Sequence, residues 1–315
     1  MRSLPIDDRP APAAMPLHPR SVGEVLDAAF QLYRSRFVAL LLVTAVGVAP
    51  ISLVTSWLVL FEAGAWSGDG DAVGLMLGLL GMLSLIPMAL VYGALTWAVA
   101  RVAEGQSVSI GAAYMRGART FPALFVAGLL VFLLVSMGLV GVVVAGTLFS
   151  LPIVALAGMT GETGGFLLTL LGFLLLGIVG GVAFAVFCGM FFGVMPLVVL
   201  DRLGPFASVR RSFELSRGGR LKIVAVLLVA WLIVLLPSIG ISIMFIGPAA
   251  MLDPTANANM PATVLALQSV ANFASSILTT PFLVACLVLL YYDRRVATEA
   301  FDLERAVDQL ERGIR

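Results

Sequence analysis

Histidine, lysine and cysteine are almost missing from this chain. One histidine (His18), one lysine (Lys222) and two cysteines (Cys188 and Cys286) occur in 315 residues. Both cysteines lie inside apolar runs, and a disulfide framework or thiolate metal site needs clustered cysteines. No nucleophile–base pair or metal-ligand set is visible, so no enzymatic activity, metal or other cofactor is expected. Charge is scarce as well: 12% of residues are charged, against about 25% in soluble chains. The longest apolar stretches contain no Asp, Glu, His or Arg, and one Lys, Lys222, at an end. Ion and proton pathways through membranes usually carry such groups, so a pump built on buried carboxylates is disfavoured. The first twenty residues have no apolar core of the signal-peptide kind and read as a disordered cytoplasmic arm, 1–20. The segments of alternating polarity that mark a transmembrane barrel are missing too.

What the chain has instead is hydrophobic length. Sixty per cent of its residues are hydrophobic and the mean hydropathy is +1.07. A bilayer core about 30 Å thick needs about 20 apolar residues per helix. Six regions satisfy this: 37–61, 72–100, 121–157, 165–200, 221–248 and 262–292. The expected fold is all-α, a polytopic membrane protein with six transmembrane helices in three hairpins. Eight spans remain the alternative, because the third and fourth regions are longer than one straight crossing requires.

Every Lys and Arg falls in the N-terminal arm and first helix, near 101–119, near 202–222 or beyond Tyr292, while the alternate loops hold only Glu62, Asp69, Asp71, Glu162 and Asp253. The positive-inside rule then places both termini in the cytoplasm and the protein in the cytoplasmic membrane.

Residues 21–37, SVGEVLDAAFQLYRSRF, open with a capping box, Ser21 and Glu24. Val22, Val25, Leu26, Ala29 and Tyr33 follow at helical spacing, which predicts an amphipathic helix lying in the cytoplasmic interface. The pattern recurs at 109–121 and 204–221. Aligned on the aromatic, the three read Ala28-Ala29-Phe30, Ala112-Ala113-Tyr114 and Arg211-Ser212-Phe213, each followed by an arginine (Arg34, Arg119, Arg217). Pro205 suits a first helical turn, and Gly218-Gly219 a left-handed end. Pro87 to Arg101 repeats the spacing of Pro281 to Arg295. The membrane domain, 21–292, therefore reads as three repeats, about 21–103, 107–202 and 204–297, each an interfacial helix followed by a transmembrane hairpin. Residues 293–315 form a C-terminal cytoplasmic amphipathic helix, with Ala300, Leu303, Ala306 and Leu310 on one face.

Three stretches, PRSVGEVLDAAFQLYRSRF (19–37), MPLVVLDRLGPFASVRRSFELSRG (195–218) and LLYYDRRVATEAFDLE (289–304), make the chain resemble the bacterial membrane domain named after glycerophosphoryl diester phosphodiesterase. In that family the hydrolase is a separate soluble barrel with metal-binding carboxylates and histidines. With no such barrel here and no histidine after His18, the resemblance implies a membrane domain without the activity.

Two sets of residues stand out as candidate sites. Gln268, Asn272, Ser275, Ser276 and Thr279 fall on one face of the sixth span, as interhelical hydrogen bonding or the wall of a polar cavity. Arg34, Arg36, Arg116, Arg119, Arg210, Arg211 and Arg217 would sit beside anionic lipid on the cytoplasmic side, as topology anchors or a docking surface for lipid headgroups or a protein. The acidic turn Ser67–Asp71 lacks the later ligands of a calcium loop. Small-residue spacings at Gly74/Gly78, Gly177/Gly181 and Gly189/Gly193 suit close helix approach. Each span also holds a proline: Pro50, Pro87, Pro152, Pro196, Pro237 or Pro281. The expected function is a non-catalytic scaffold or accessory subunit of the cytoplasmic membrane. The alternative is a carrier of lipid or small uncharged molecules through a polar cavity between proline-bent helices. Expected partners are membrane lipids and a membrane or cytoplasmic protein, not nucleic acid.

Overall fold

The computed structural model describes residues 20–65, 70–159, 161–246 and 262–313, and among them every regular element is helical. The order is α1 (Val22–Ser35), α2 (Phe37–Ala65), α3 (Gly70–Ala103), α4 (Ile110–Ala157), α5 (Gly161–Gly189), α6 (Val194–Val199), α7 (Pro205–Ser216), α8 (Arg220–Ile246) and α9 (Ala262–Gly313). Six stretches among the described residues are long and apolar enough to cross a membrane, in agreement with the count of six. The arm up to residue 19, and residues 66–69 of the acidic turn, lie outside the described residues.

Helix ends follow local chemistry. The Glu24 amide donates to Ser21 Oγ at 3.3 Å and the Ser21 amide to Glu24 Oε2 at 2.6 Å, completing the capping box of α1. Pro205 occupies the first turn of α7, where its missing N–H costs nothing. Gly218 adopts φ +75° between α7 and α8, the left-handed geometry that a residue without Cβ takes freely.

Helix α9 is central: it packs against α1, α2, α3, α7 and α8, and its segment Phe282–Tyr291 is almost wholly buried. Pairs α2–α3, α4–α5 and α8–α9 are also packed, and α3 lies closely along α4. Gly117 makes that last approach possible, since a Cβ there would stand 2.9 Å from the Leu90 carbonyl oxygen and 3.0 Å from the Ala94 nitrogen. The outer parts of α4 and α5 expose apolar side chains in every direction, from Leu133 and Val140 to Leu171 and Val179. That surface suits hydrocarbon and not water.

Several expectations change in detail. Arg36 breaks α1 from α2, and Arg217–Gly219 separates α7 from α8, but the corresponding 109–121 segment is the unbroken start of α4. Likewise 293–313 continues α9 without interruption. Neither of these two continuous junctions contains a positive-φ residue of the kind seen at Gly218. Pro50, Pro87, Pro152, Pro237 and Pro281 sit within continuous helices. The break comes in the fourth span, at 190–193 between α5 and α6, just ahead of Pro196. Of the small-residue pairs, Gly189 and Gly193 meet close neighbours, Val224 and Ser212, whereas Gly177 and Gly181 face open space.

The apolar face of α1 is not left for lipid. Val25, Ala29 and Tyr33 are buried against α8 and α9. In α7 the buried face is Ser208, Ser212, Leu215 and Ser216. These small side chains let α7 sit close to the break in the fourth span. There Ser212 Oγ accepts from the Gly193 amide at 3.1 Å and donates to the Met190 carbonyl at 2.8 Å, satisfying backbone groups that the interrupted helix leaves free.

Candidate functional site: the charged end of the bundle

The densest polar structure lies where α1, α6, α7, α8 and α9 meet. Five consecutive residues of α9, Tyr291 to Arg295, supply most of it. Asp293, only 1% exposed at its side chain, accepts from Lys222 Nζ at 2.5 Å and from the Arg20 amide at 2.6 Å. Arg294 donates to the carbonyls of Leu215 at 3.2 Å and Arg217 at 2.9 Å, closing the C-terminal end of α7, whose last carbonyls lack intrahelical partners. Tyr291 Oη donates to Asp201 Oδ2 at 2.7 Å, and Arg295 Nη1 donates to Asp201 Oδ1 and Tyr291 Oη, both at 3.1 Å. One turn of α9 thus fastens the start of α1, the turn after α6, the end of α7 and the start of α8.

Above this knot lies an open basin of about 390 Å³, with Asp201, Arg210, Arg211, Glu214, Tyr291 and Arg295 in its wall. Arg210 and Arg211 pair with Glu214 at 3.2 and 3.3 Å. Those hydrogen bonds, Arg211's first, hold the Glu214 carboxyl below the usual glutamate range. Arg210 is 85% exposed, so the pair contributes little stability and keeps its charge available at the surface. The basin presents three guanidiniums and two carboxylates, without a nucleophile placed against a base.

The expected arginine positions divide accordingly. Arg210 and Arg211 line the basin. Arg217 stacks over the Phe213 ring at 5.6 Å, as Arg220 does. Arg34 and Arg36 are exposed on the α1 side. Arg116 and Arg119 stand apart on α4. The residues that organise the knot, Asp201, Tyr291, Asp293, Arg294 and Arg295, were not singled out from sequence. The signal available was their density: LDR at 200–202 and YYDRR at 291–295 place acids and bases together at span ends.

The polar stripe of the sixth span falls elsewhere, on the membrane-spanning part of α9. Ser275 is buried with its hydroxyl unpaired among the described residues, Thr279 donates to the Ser275 carbonyl at 2.7 Å, Gln268 and Ser276 are half-buried, and Asn272 is exposed. Neither cavity described here includes any of the five in its lining. A second cavity, of about 480 Å³, opens between the spans and is apolar, with Tyr92, Leu124, Phe125, Phe132, Cys188 and Met195 among its lining. Its wall at Leu124 is buried, while Phe132 is 54% exposed, so it opens onto the apolar outer surface of the bundle. No cluster of three or more His, Cys, Asp or Glu that could hold a metal occurs among the described residues.

Comparison with protein-family models, with curated proteins and with solved structures finds no match. The geometry of the charged end therefore carries the functional argument.

Proposed function

We propose that this protein is a non-catalytic scaffold or accessory subunit of the cytoplasmic membrane, which holds a protein partner on its charged, cytoplasmic end. The observation that carries this reading is the knot at Asp201, Tyr291, Asp293, Arg294 and Arg295. It immobilises four chain segments beneath an exposed basin of mixed charge. A surface whose backbone is fixed in advance binds with less ordering cost, and mixed charge favours specificity over bulk attraction. The three sequence stretches that carry the resemblance to the phosphodiesterase-associated membrane domain each contribute to this knot: Arg20 from the first, Asp201 and Leu215 from the second, Tyr291–Arg295 from the third. The repeat reading draws support from burial, because Ala29, Ala113 and Ser212, which occupy one position in the aligned segments, are all fully buried.

The apolar cavity favours a second reading, a carrier of an apolar lipid or small molecule, in place of the polar conduit that the stripe on α9 suggested. A photocrosslinking amino acid at Ala207, on the rim of the basin, separates the two readings in intact cells. A scaffold gives one discrete protein adduct, which the charge reversals Arg210→Glu and Arg211→Glu abolish. A carrier gives no discrete adduct there, but gives lipid adducts from a crosslinker at Phe132. Absence of both overturns both readings.

A further inference from the structure

The apolar cavity of about 480 Å³ extends from the outer flank of the bundle to its central helix. Phe132 of α4 stands on the exposed side, Phe191 comes from the break in the fourth span, and Leu227 of α8 and Leu287 of α9 close the inner side, packed on the core. Protein interiors are close-packed, and the voids they keep are few and scarcely larger than a water. An apolar cavity of about 150 Å³ already stays dry and takes up benzene, and this one is roughly three times as large.

Two features of the wall narrow what fills it. The first is Gly128, which lines the cavity on its exposed side, one turn of α4 before Phe132. Gly117 is pressed by the backbone of α3, but at Gly128 no atom stands within 4 Å of where a Cβ would be. Glycine weakens a helix relative to alanine, and close packing does not account for this one. Its missing side chain leaves the mouth of the cavity open. The second feature is Tyr92, whose hydroxyl is the only side-chain oxygen or nitrogen in the lining. It makes no hydrogen bond among the described residues, whereas Tyr33, Tyr114 and Tyr291 donate to the Leu278 carbonyl, the Val43 carbonyl and Asp201. A hydroxyl left unpaired in apolar surroundings is costly. An occupant with an acceptor oxygen removes that cost, and a plain hydrocarbon does not.

We propose that the cavity is a binding site for a lipophile that enters from the bilayer and carries a carbonyl oxygen, which accepts a hydrogen bond from Tyr92. This names the ligand class for the cavity behind the carrier reading and rests on that reading's membrane placement of the spans. Binding itself does not require transport. A fatty-acyl ester and a lipid-soluble quinone share the chemistry, and the test separates them.

The full-length protein in phosphatidylcholine nanodiscs is photolabelled with a long-chain methyl ketone bearing a diazirine at its far end, and the labelled residues are mapped by mass spectrometry. Label should concentrate at Phe132 and Phe191 over Val140 and Val179, which are exposed on the outer faces of α4 and α5. Gly128→Leu, whose new side chain meets open space at the mouth, should remove the cavity label with little change in melting temperature. Tyr92→Phe should raise the half-saturating ketone concentration about fivefold, the scale of one net hydrogen bond. Methyl palmitate, a short-chain naphthoquinone and hexadecane are then compared as competitors. The stronger of the first two assigns the carbonyl to a chain or to a ring, and hexadecane should compete about fivefold more weakly than methyl palmitate. Label spread evenly along α4 and α5, or unchanged in Gly128→Leu, would overturn the site. Cavity label that ignores Tyr92→Phe, with hexadecane competing as well as the carbonyl compounds, would overturn this proposal and leave the carrier reading standing. Loss of all cavity label in the parent would overturn both.

Discussion

Replacing Asp293 by alanine is expected to lower the stability of the folded protein by roughly 3 kcal/mol, the scale on which breaking one side of a buried ion pair acts. The carboxylate is 1% exposed and serves two donors, Lys222 Nζ and the Arg20 amide. Removing it leaves the lysine ammonium without its partner in a partly desolvated site. Lys222 retains 22% side-chain exposure, so some of its hydration survives and the loss belongs at the lower end of that scale. The start of α1 should also come free of α9, because the Arg20 amide has its one hydrogen bond to that helix, among the described residues, through Asp293. Thermal unfolding in detergent checks the first effect, and proteolysis near residue 20 checks the second. The double change Asp293→Leu/Lys222→Leu should recover much of the lost stability, since an apolar pair avoids the uncompensated charge. The same double variant should still show early cleavage near residue 20. A single variant as stable as the parent would mean that the Asp293 pair does not hold this end together.

The second large effect is steric. Gly117→Leu should separate α3 from α4 and cost on the order of 3 kcal/mol, at the upper end of overpacking penalties. The atoms that meet a new Cβ are the Leu90 carbonyl oxygen at 2.9 Å and the Ala94 nitrogen at 3.0 Å, which belong to backbone and cannot rotate away. Gly128→Leu provides the comparison: nothing stands within 4 Å of a Cβ there, so its cost should be small. Equal melting temperatures for the two variants would contradict the close α3–α4 approach.

The spans were legible because hydrophobic run length is a one-dimensional signal, and the start of α1 because a capping box is local to four residues. The Asp201–Tyr291–Arg295 and Arg20–Asp293–Lys222 contacts were not. They join positions 71 to 273 residues apart, and nothing in the sequence around either partner specifies the other. Spacing placed Ser275 and Thr279 on one face of a helix correctly as geometry. Which neighbour that face meets depends on how α9 is rotated within the bundle, and Asn272 of the same stripe is exposed. The burial of α7 shows a different gap. An amphipathic reading seeks the apolar face, but α7 turns Ser208, Ser212 and Ser216 inward, because small hydroxyl side chains can both approach and satisfy the interrupted backbone at 190–193. The continuity of α4 from Ile110 was hidden because 109–121 shares the composition of the other two segments, one of which breaks at Arg36 and the other at Arg217–Gly219.

The proposed docking surface requires the arginine-rich end of this bundle to face the cytoplasm, and cysteine labelling in intact cells tests that most directly. Single cysteines at Ser107 and Ala207, both exposed at the charged end, should react with a membrane-impermeant thiol reagent only after lysis. Cysteines at Ser67, Thr163 and Asn257, in the arginine-free loops, should react from outside. The parent, whose Cys286 is buried and whose Cys188 lines the apolar cavity, should stay unlabelled. Labelling at Ala207 from outside would contradict the six-span topology and, with it, a cytoplasmic docking surface.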